Sequence, residues 1–169
     1  MTGKNTARQL GADSAENLRV NEKKWSKVLM DAGWTAIPSV IIERQQALGL
    51  DSLDINILLY LTTYWWTEDN KPRPSKKTIA AAVGVEPRTV QRRIAAMQKD
   101  GLIKREEHRI NGKGSRPNTY HFDGLIAAAK PFAIEKMQDM EKRKVEREKS
   151  AARKGKSKLH IVKSSDGEG

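Results

Sequence analysis

Apolar residues recur at three- and four-residue spacing over long stretches of the first hundred residues, and this spacing predicts helices. The most apolar stretch, residues 53–65, begins just after Asp51, and the spacing of Asp51 and Asp54 resembles a helix-capping box. Two shorter helices are predicted after it, at residues 76–83 and 87–100. The centre of the chain is therefore predicted to consist of three helices.

The segments before this centre give weaker signals. Residues 25–29 predict a short helical turn and residues 34–37 a brief strand. A further helix is predicted over residues 38–48, because Pro38 suits the first position of a helix. Residues 1–24 are polar and predict a mobile arm or one weak helix.

The pattern changes from helical to extended at Leu102. A β-prone stretch there and another at residues 119–122 flank a turn-rich loop at residues 111–118, which predicts a hairpin with a protruding tip. A helical turn at residues 125–129 and a long, charged helix at residues 132–154 are predicted to follow. The predicted fold class is mainly α with a small β-hairpin and a long charged C-terminal helix.

These elements divide the chain into four predicted parts. Its 169 residues, 37% of them hydrophobic, suffice for one core rather than two. The parts are a flexible arm at 1–24, a domain at 25–124, a charged helical extension at 125–154 and a disordered tail at 155–169.

Composition excludes several classes of protein. The chain has no cysteine, which rules out disulfides, thiolate nucleophiles and cysteine-bound metals. No apolar run reaches the roughly 18 residues of a membrane span, and the first thirty residues lack the apolar stretch of a signal peptide. The histidines show no metal-ligand spacing, and residues 112–115 lack the pattern of a Walker phosphate loop. We therefore expect a cytoplasmic protein that is not an enzyme, requires no cofactor and does not bind membranes.

The charge distribution indicates an anionic partner. The formal net charge is +11. Residues 71–118 hold 13 Lys or Arg against 4 Asp or Glu, and residues 141–158 hold 9 against 3, whereas residues 1–70 hold 7 against 9. Two basic blocks of this kind favour binding to a polyanion such as DNA.

Residues 76–94 have the spacing of two helices that cross around a tight turn. Ala80 is small where the helices would touch, and Gly84 suits the positive φ of the turn. Five apolar residues are predicted to face inward: Ile79, Val83, Val85, Val90 and Ile94. The polar residues of the second helix are predicted to face outward: Arg88, Thr89, Gln91, Arg92 and, at the flank, Arg93.

These outward side chains have the chemistry to recognise bases in the DNA major groove. An arginine can donate two hydrogen bonds to guanine, and Gln91 can pair with adenine. The start of the first helix adds predicted phosphate contacts through backbone N–H groups and four side chains: Ser75, Lys76, Lys77 and Thr78. A solvated basic helix has a similar composition, so the prediction of sequence-specific binding to double-stranded DNA rests on the combined pattern.

The segment from about residue 34 to residue 122 resembles the winged helix-turn-helix domains of plasmid and phage replication initiators and related bacterial regulators. The resemblance is carried by GWTAIP at 33–38, the helix at 53–61, PSKKTIAAAVGVEPRTVQRRIAAMQKDGLIKR at 74–105 and TYHF at 119–122. It implies a winged helix-turn-helix (α+β) fold and a role in replication initiation, partition or transcriptional control. Glu86 stands where such domains commonly have a capping Ser or Thr, a departure that bears on sequence preference rather than on fold.

By the same resemblance, the loop at residues 111–118 is the wing. Lys113 and Arg116 would then reach the adjacent DNA backbone or the minor groove. The alternative is a hairpin that is merely exposed.

Other interpretations stay open at this point. The chain could be an adaptor, loading or partition module whose basic tail binds nucleic acid non-specifically. The helix at 132–154 could pack against a second copy, lie across phosphates or be solvated; its apolar positions do not sustain a coiled-coil heptad. A homodimer on DNA and a replication or regulatory protein partner are further possible assemblies.

Four aromatic residues near the end of the helix at 53–65 suggest either a ligand pocket, a base-stacking platform or part of the core: Tyr60, Tyr64, Trp65 and Trp66. Aromatic residues at helical spacing belong to the core more often than to a site. Trp66 is the expected exception.

Overall fold

The computed structural model describes residues 16–109 and 115–154. Residues 16–25 are helical and are called α1. The later elements are α2 Lys27–Asp31, α3 Ser39–Glu43, α4 Ser52–Thr62, α5 Lys76–Val83, α6 Pro87–Lys99, β1 Lys104–Arg109, β2 Ser115–His121 and α7 Asp123–Lys154. The predicted fold class, mainly α with one hairpin and a long C-terminal helix, is confirmed.

The core is formed where α4, α5, α6 and the hairpin meet. Its fully buried side chains include Ile57, Leu58 and Leu61 of α4, Ile79 of α5, Val90 and Ile94 of α6, and Tyr120 of β2. Of the five residues predicted to face inward, Ile79, Val90 and Ile94 are buried, and Val83 and Val85 pack against the core while partly exposed. The helical periodicity therefore identified the buried faces correctly.

The predicted capping box at the start of α4 is confirmed. The Asp51 carboxylate accepts hydrogen bonds from the N–H groups of Leu53 and Asp54 at 2.9 Å each, and Asp54 accepts the Asp51 N–H at 3.1 Å. The box satisfies N–H groups that have no partner within the helix. The position of α4, and of the core it carries, is fixed at this end.

Gly84 ends α5 in the left-handed conformation, with φ of 77°. The N–H groups of Gly84 and Val85 both donate to the carbonyl of Ala80, at 2.9 and 3.1 Å. A side chain at this φ is strained, so glycine allows the chain to reverse within three residues and begin α6 at Pro87.

The hairpin is joined to the helices through the connection that follows α4. β1 and β2 are antiparallel, with Arg105 opposite Tyr120 and an irregularity between Glu106 and His108. The N–H of Tyr120 donates to the carbonyl of Pro72 at 3.0 Å. The connection between α4 and α5 therefore lies along β2.

Three predicted elements differ in the structure. Residues 34–37 are not a strand, because the described sheet contains only β1 and β2 and offers them no partner. The helix predicted over 38–48 is only α3, and turns follow it so that Leu48 and Leu50 are both buried. The turn at 125–129 and the helix at 132–154 are one element, α7, with Pro131 inside it.

The start of α7 packs tightly against the exit from α6. The N–H of Leu125 donates to the carbonyl of Leu102 at 2.7 Å, and Leu125 and Ala129 are buried. Ion pairs then join α7 to α3, including one between Lys136 and Glu43 at 2.6 Å. From residue 137 to residue 152 the helix is exposed. No helix in the described ranges combines the length and apolar character needed to cross a membrane.

Candidate nucleic-acid interface

Helix α6 has one buried and one exposed face. Val90 and Ile94 are buried on the first, whereas Arg88, Gln91 and Arg92 are exposed on the second. Pro87 occupies the first turn, where a missing N–H has no cost. The three side chains predicted to recognise bases therefore stand in solvent on a helix held by the core.

The exposed face forms a shallow depression. It is lined by Glu86, Arg88, Thr89, Gln91, Arg92 and Ala95. Thr89 is half-buried, and Glu86 precedes the helix without a side-chain capping bond. The predicted residues 88, 89, 91 and 92 are thus brought together, with one carboxylate at their edge.

Lys76 of α5 is linked to this face. Its Nζ donates a hydrogen bond to Oε1 of Gln91 at 2.9 Å, and the Lys76 side chain is half-buried. The bond occupies one acceptor site on Gln91 and leaves the side-chain NH₂ group to donate. Lys76, predicted from sequence as a phosphate contact, also orients Gln91.

The start of α5 places two hydroxyl groups together. Ser75 Oγ accepts the N–H of Thr78 at 3.1 Å, and the two hydroxyl oxygens are 2.7 Å apart. Lys77 and Thr78 are exposed. This end of the helix offers hydroxyl groups, backbone N–H groups and one free-standing cation to an anion.

Arg93 does not share the exposed face, contrary to its predicted place at the flank. Its Nε donates to Asp54 at 2.8 Å, and its Nη2 pairs with Asp51 at 2.6 Å and also with Asp54. Asp54 is only 2% exposed, so its charge depends on Arg93 for a partner. The hydrogen bond to Asp54 raises the pKa of Arg93, with further contributions from the charges of both carboxylates.

The same cluster affects Asp51. The backbone N–H of Asp54 lowers the pKa of Asp51, and the positive charge of Arg93 lowers it further. The sequence predicted the capping box, but it gave no signal that Arg93 pairs with the two carboxylates.

Only part of the predicted wing lies within the described residues. Lys113 lies outside the described residues. The backbone of Arg116 pairs with His108 in the sheet, and its side chain lies outside the described part. The side chain of His108 also bonds to the Thr119 hydroxyl at 2.8 Å and so joins the two strands.

Two cations beside the start of α5 are not predicted as site residues by the sequence pattern. Lys71 and Arg73 lie in the Pro-containing connection and line a groove that also contains Ser75 and Thr78. Trp66, singled out among the aromatic residues, lines the same groove and is 63% exposed. The available signal was that Lys71 and Arg73 alternate with Pro72 and Pro74 shortly after Trp65 and Trp66.

In a comparison with protein families, residues 50–104 match the model described as winged helix-turn-helix DNA-binding. These residues include α4, α5 and α6 and end at the first residue of β1. A comparison with curated proteins finds no match.

Several solved structures are similar to the chain. The N-terminal domain of DnaD from Geobacillus kaustophilus is 17% identical, with 71% of this chain and 96% of that chain covered and a TM-score of 0.48. S. aureus MepR in its complex with DNA is 17% identical, with 68% and 88% covered and a TM-score of 0.39. The YusO protein of Bacillus subtilis is 17% identical, with 89% and 98% covered and a TM-score of 0.36.

Proposed function

Because residues 50–104 form a winged helix-turn-helix DNA-binding domain, we propose that the protein recognises a specific double-stranded DNA sequence and thereby controls replication initiation or transcription. The observation that carries this proposal is the exposed face of α6, where Arg88, Gln91 and Arg92 stand together. A helix of this kind fits the major groove of B-form DNA. Both roles are non-enzymatic and belong in the cytoplasm.

Each side chain on this face has a defined partner chemistry. Arg88 and Arg92 suit guanine, whose O6 and N7 accept two parallel hydrogen bonds. Lys76 donates to Oε1 of Gln91, and the NH₂ group of Gln91 suits N7 or another base acceptor. Thr89 is half-buried at the same edge and suits contact with a thymine methyl group or a phosphate.

Phosphate contacts position the helix in this proposal. Ser75, Lys77 and Thr78 flank the base-recognising face from the start of α5, and the wing residues Lys113 and Arg116 are proposed to contact the neighbouring backbone. Such contacts add affinity for every sequence and carry no base preference.

The test begins with selection of bound fragments from random DNA. Arg88→Ala and Arg92→Ala are then expected to weaken binding to the selected site by roughly 1–3 kcal/mol each and to relax preference at one base pair. Lys99→Ala is the matched control, because Lys99 is an exposed cation in the last turn of the same helix. Equal affinities of all three variants at fixed salt would overturn the proposal.

A second candidate function is an adaptor, loading or partition module that holds nucleic acid through its C-terminal helix. Residues 137–152 of α7 are exposed and include the cations Lys142, Arg143, Lys144 and Arg147, which supports it. If the first proposal holds, replacing these four cations by Gln is expected to reduce affinity for all DNA sequences and to leave the sequence preference intact. Loss of all DNA binding in this variant, with Arg88→Ala unaffected, favours the second candidate.

Binding as a homodimer to a two-fold site is part of the first proposal. The exposed apolar side chains Ile134, Met137 and Met140 of α7 support contact with a second copy or with a replication or regulatory protein. Sedimentation with and without the selected site distinguishes these states. A complex of one protein per site excludes the dimer.

A further inference from the structure

A groove lies beside the start of α5, between the connection that follows α4 and the beginning of β2. Its lining includes Tyr64, Trp66, Lys71, Arg73, Ser75 and Thr78, and Pro117 of β2 closes one side. We call it the Trp66 groove. It is adjacent to the proposed duplex-binding surface, because Ser75 and Thr78 belong to both.

The floor of the groove presents aromatic rings to solvent. Trp66 is 63% exposed and Tyr64 is 40% exposed. The preceding residue, Trp65, instead packs against Phe122 of the core with ring centroids 5.0 Å apart. The Tyr64 ring is fixed by Tyr60, through hydroxyl oxygens 2.9 Å apart and an edge contact at 5.4 Å. Packing of the core therefore does not account for Trp66.

The walls of the groove are cationic. Lys71 and Arg73 line it, and none of its lining residues is an Asp or a Glu. The Nζ of Lys71 lies 5.2 Å from the centroid of the Trp65 ring, a cation–π contact that holds the charge near the groove. The bond from the Tyr120 N–H to the carbonyl of Pro72 fixes the backbone between the two cations. Exposed aromatic rings and two cations therefore line the same groove.

An aromatic face beside cations is the chemistry that binds unpaired nucleotides. Successive bases stack on aromatic side chains, and basic side chains follow the phosphates. A paired base is already stacked on its neighbours and exposes only its edges. We propose that the Trp66 groove binds an unpaired stretch of DNA, with one base stacked on Trp66 and its phosphate held by Lys71, Arg73 and the hydroxyl groups of α5.

This proposal does not depend on sequence-specific recognition by α6. Arg88 and Arg92 do not line the groove, so the two surfaces can be altered separately. The groove adds a function, the retention of a single strand beside a bound duplex.

The experiment measures binding of the full chain to a short oligothymidylate and to an abasic oligonucleotide of the same length. Both carry the same phosphates, so the ratio of their affinities isolates stacking. The wild-type protein is expected to prefer the oligothymidylate by roughly 5- to 100-fold, as expected for stacking of one base. Trp66→Ala is expected to abolish this preference, and Trp66→Phe to retain most of it.

Two controls separate stacking from folding and from duplex binding. Trp25→Ala removes another exposed tryptophan, which is 56% exposed in the N-terminal region and does not line the groove, and should leave the preference unchanged. Arg88→Ala should also leave it unchanged while duplex affinity falls. Equal wild-type binding to both oligonucleotides, or a preference that persists in correctly folded Trp66→Ala, overturns the proposal even if α6 recognises duplex DNA as proposed.

Discussion

Arg92 and Arg93 are adjacent in the chain, yet their side chains have different surroundings. Each residue of an α-helix turns the side chain by about 100°, and this turn carries Arg93 away from the exposed face and toward α4. Arg92 is exposed beside Arg88 and Gln91. Arg93 is directed to the capping box of α4, where it pairs with Asp51 and Asp54. Arg92 is therefore exposed to solvent, whereas Arg93 stabilises the start of α4.

Alanine at these two positions is expected to separate stability from DNA binding. Arg93→Ala leaves the buried Asp54 carboxylate unpaired and should lower the free energy of unfolding by about 3 kcal/mol. Arg92→Ala should change stability by less than about 0.5 kcal/mol while weakening binding to the selected site. Urea unfolding and DNA titration of both variants check this; similar stability losses would contradict it.

Asp51 is expected to make stability depend on pH in the acidic range. Its pKa is lowered in the folded chain, chiefly by the N–H of Asp54, so the unfolded chain binds the proton more readily. The contribution is complete above the unfolded pKa of about 3.9 and is lost as the pH falls through the folded pKa.

The matched variant is Asp51→Asn, which keeps a good N-cap residue but cannot ionise. The wild-type protein should be the more stable at pH 6, and the difference should shrink toward pH 3. Unfolding midpoints across this range measure it. A difference that stays constant with pH would show that ionisation of Asp51 contributes nothing.

Among the elements, the junction between α6 and α7 depends on a contact between two backbones. A Cβ built on Gly124 would lie 1.8 Å from the carbonyl oxygen of Gly101 and 3.1 Å from that of Leu102. Backbone atoms cannot move aside as a flexible side chain does. Gly124 therefore sets how closely α7 approaches the exit from α6, and with it the position of the hairpin between them.

Gly124→Ala is expected to lower the free energy of unfolding by roughly 3 kcal/mol or more, because α7 must shift to relieve the overlap. Gly84→Ala is the matched control. Its φ of 77° is unfavourable for alanine, but no atom lies within 4 Å of the added carbon, so it should cost only about 1–2 kcal/mol. Thermal or urea unfolding ranks the two variants, and the reverse order would contradict the close contact.

At the scale of the whole molecule, the positive charge is concentrated in two stretches of the chain. The stretch 71–118 holds 13 Lys or Arg against 4 Asp or Glu, and the stretch 141–158 holds 9 against 3; the rest of the chain is net negative, so the formal net charge is +11. The first belongs largely to the helix pair and hairpin, and the second largely to the exposed part of α7. Both are available to neutralise phosphates.

Affinity for the selected site should therefore fall steeply with salt. If six or more phosphates are neutralised, the loss between about 50 and 200 mM salt is about 10³-fold or greater. Equilibrium titrations at four or five salt concentrations give the slope of log affinity against log salt. A log–log slope of about −1 would mean that only one phosphate is contacted and would exclude the proposed set of backbone contacts.

The sequence by itself determined the elements whose causes are local: the capping box at Asp51, the turn at Gly84, and the buried and exposed faces of α6. Caps, positive φ and helical periodicity depend on residues within a few positions of one another, so the order of residues suffices to predict them. Tertiary structure alone decided that Arg93 pairs with Asp54, that residues 34–37 lack a strand partner, and that Trp66 lies beside Lys71 and Arg73. These contacts join residues that are far apart in the chain or that lie in a connection without regular secondary structure. Their positions are set only when the core packs.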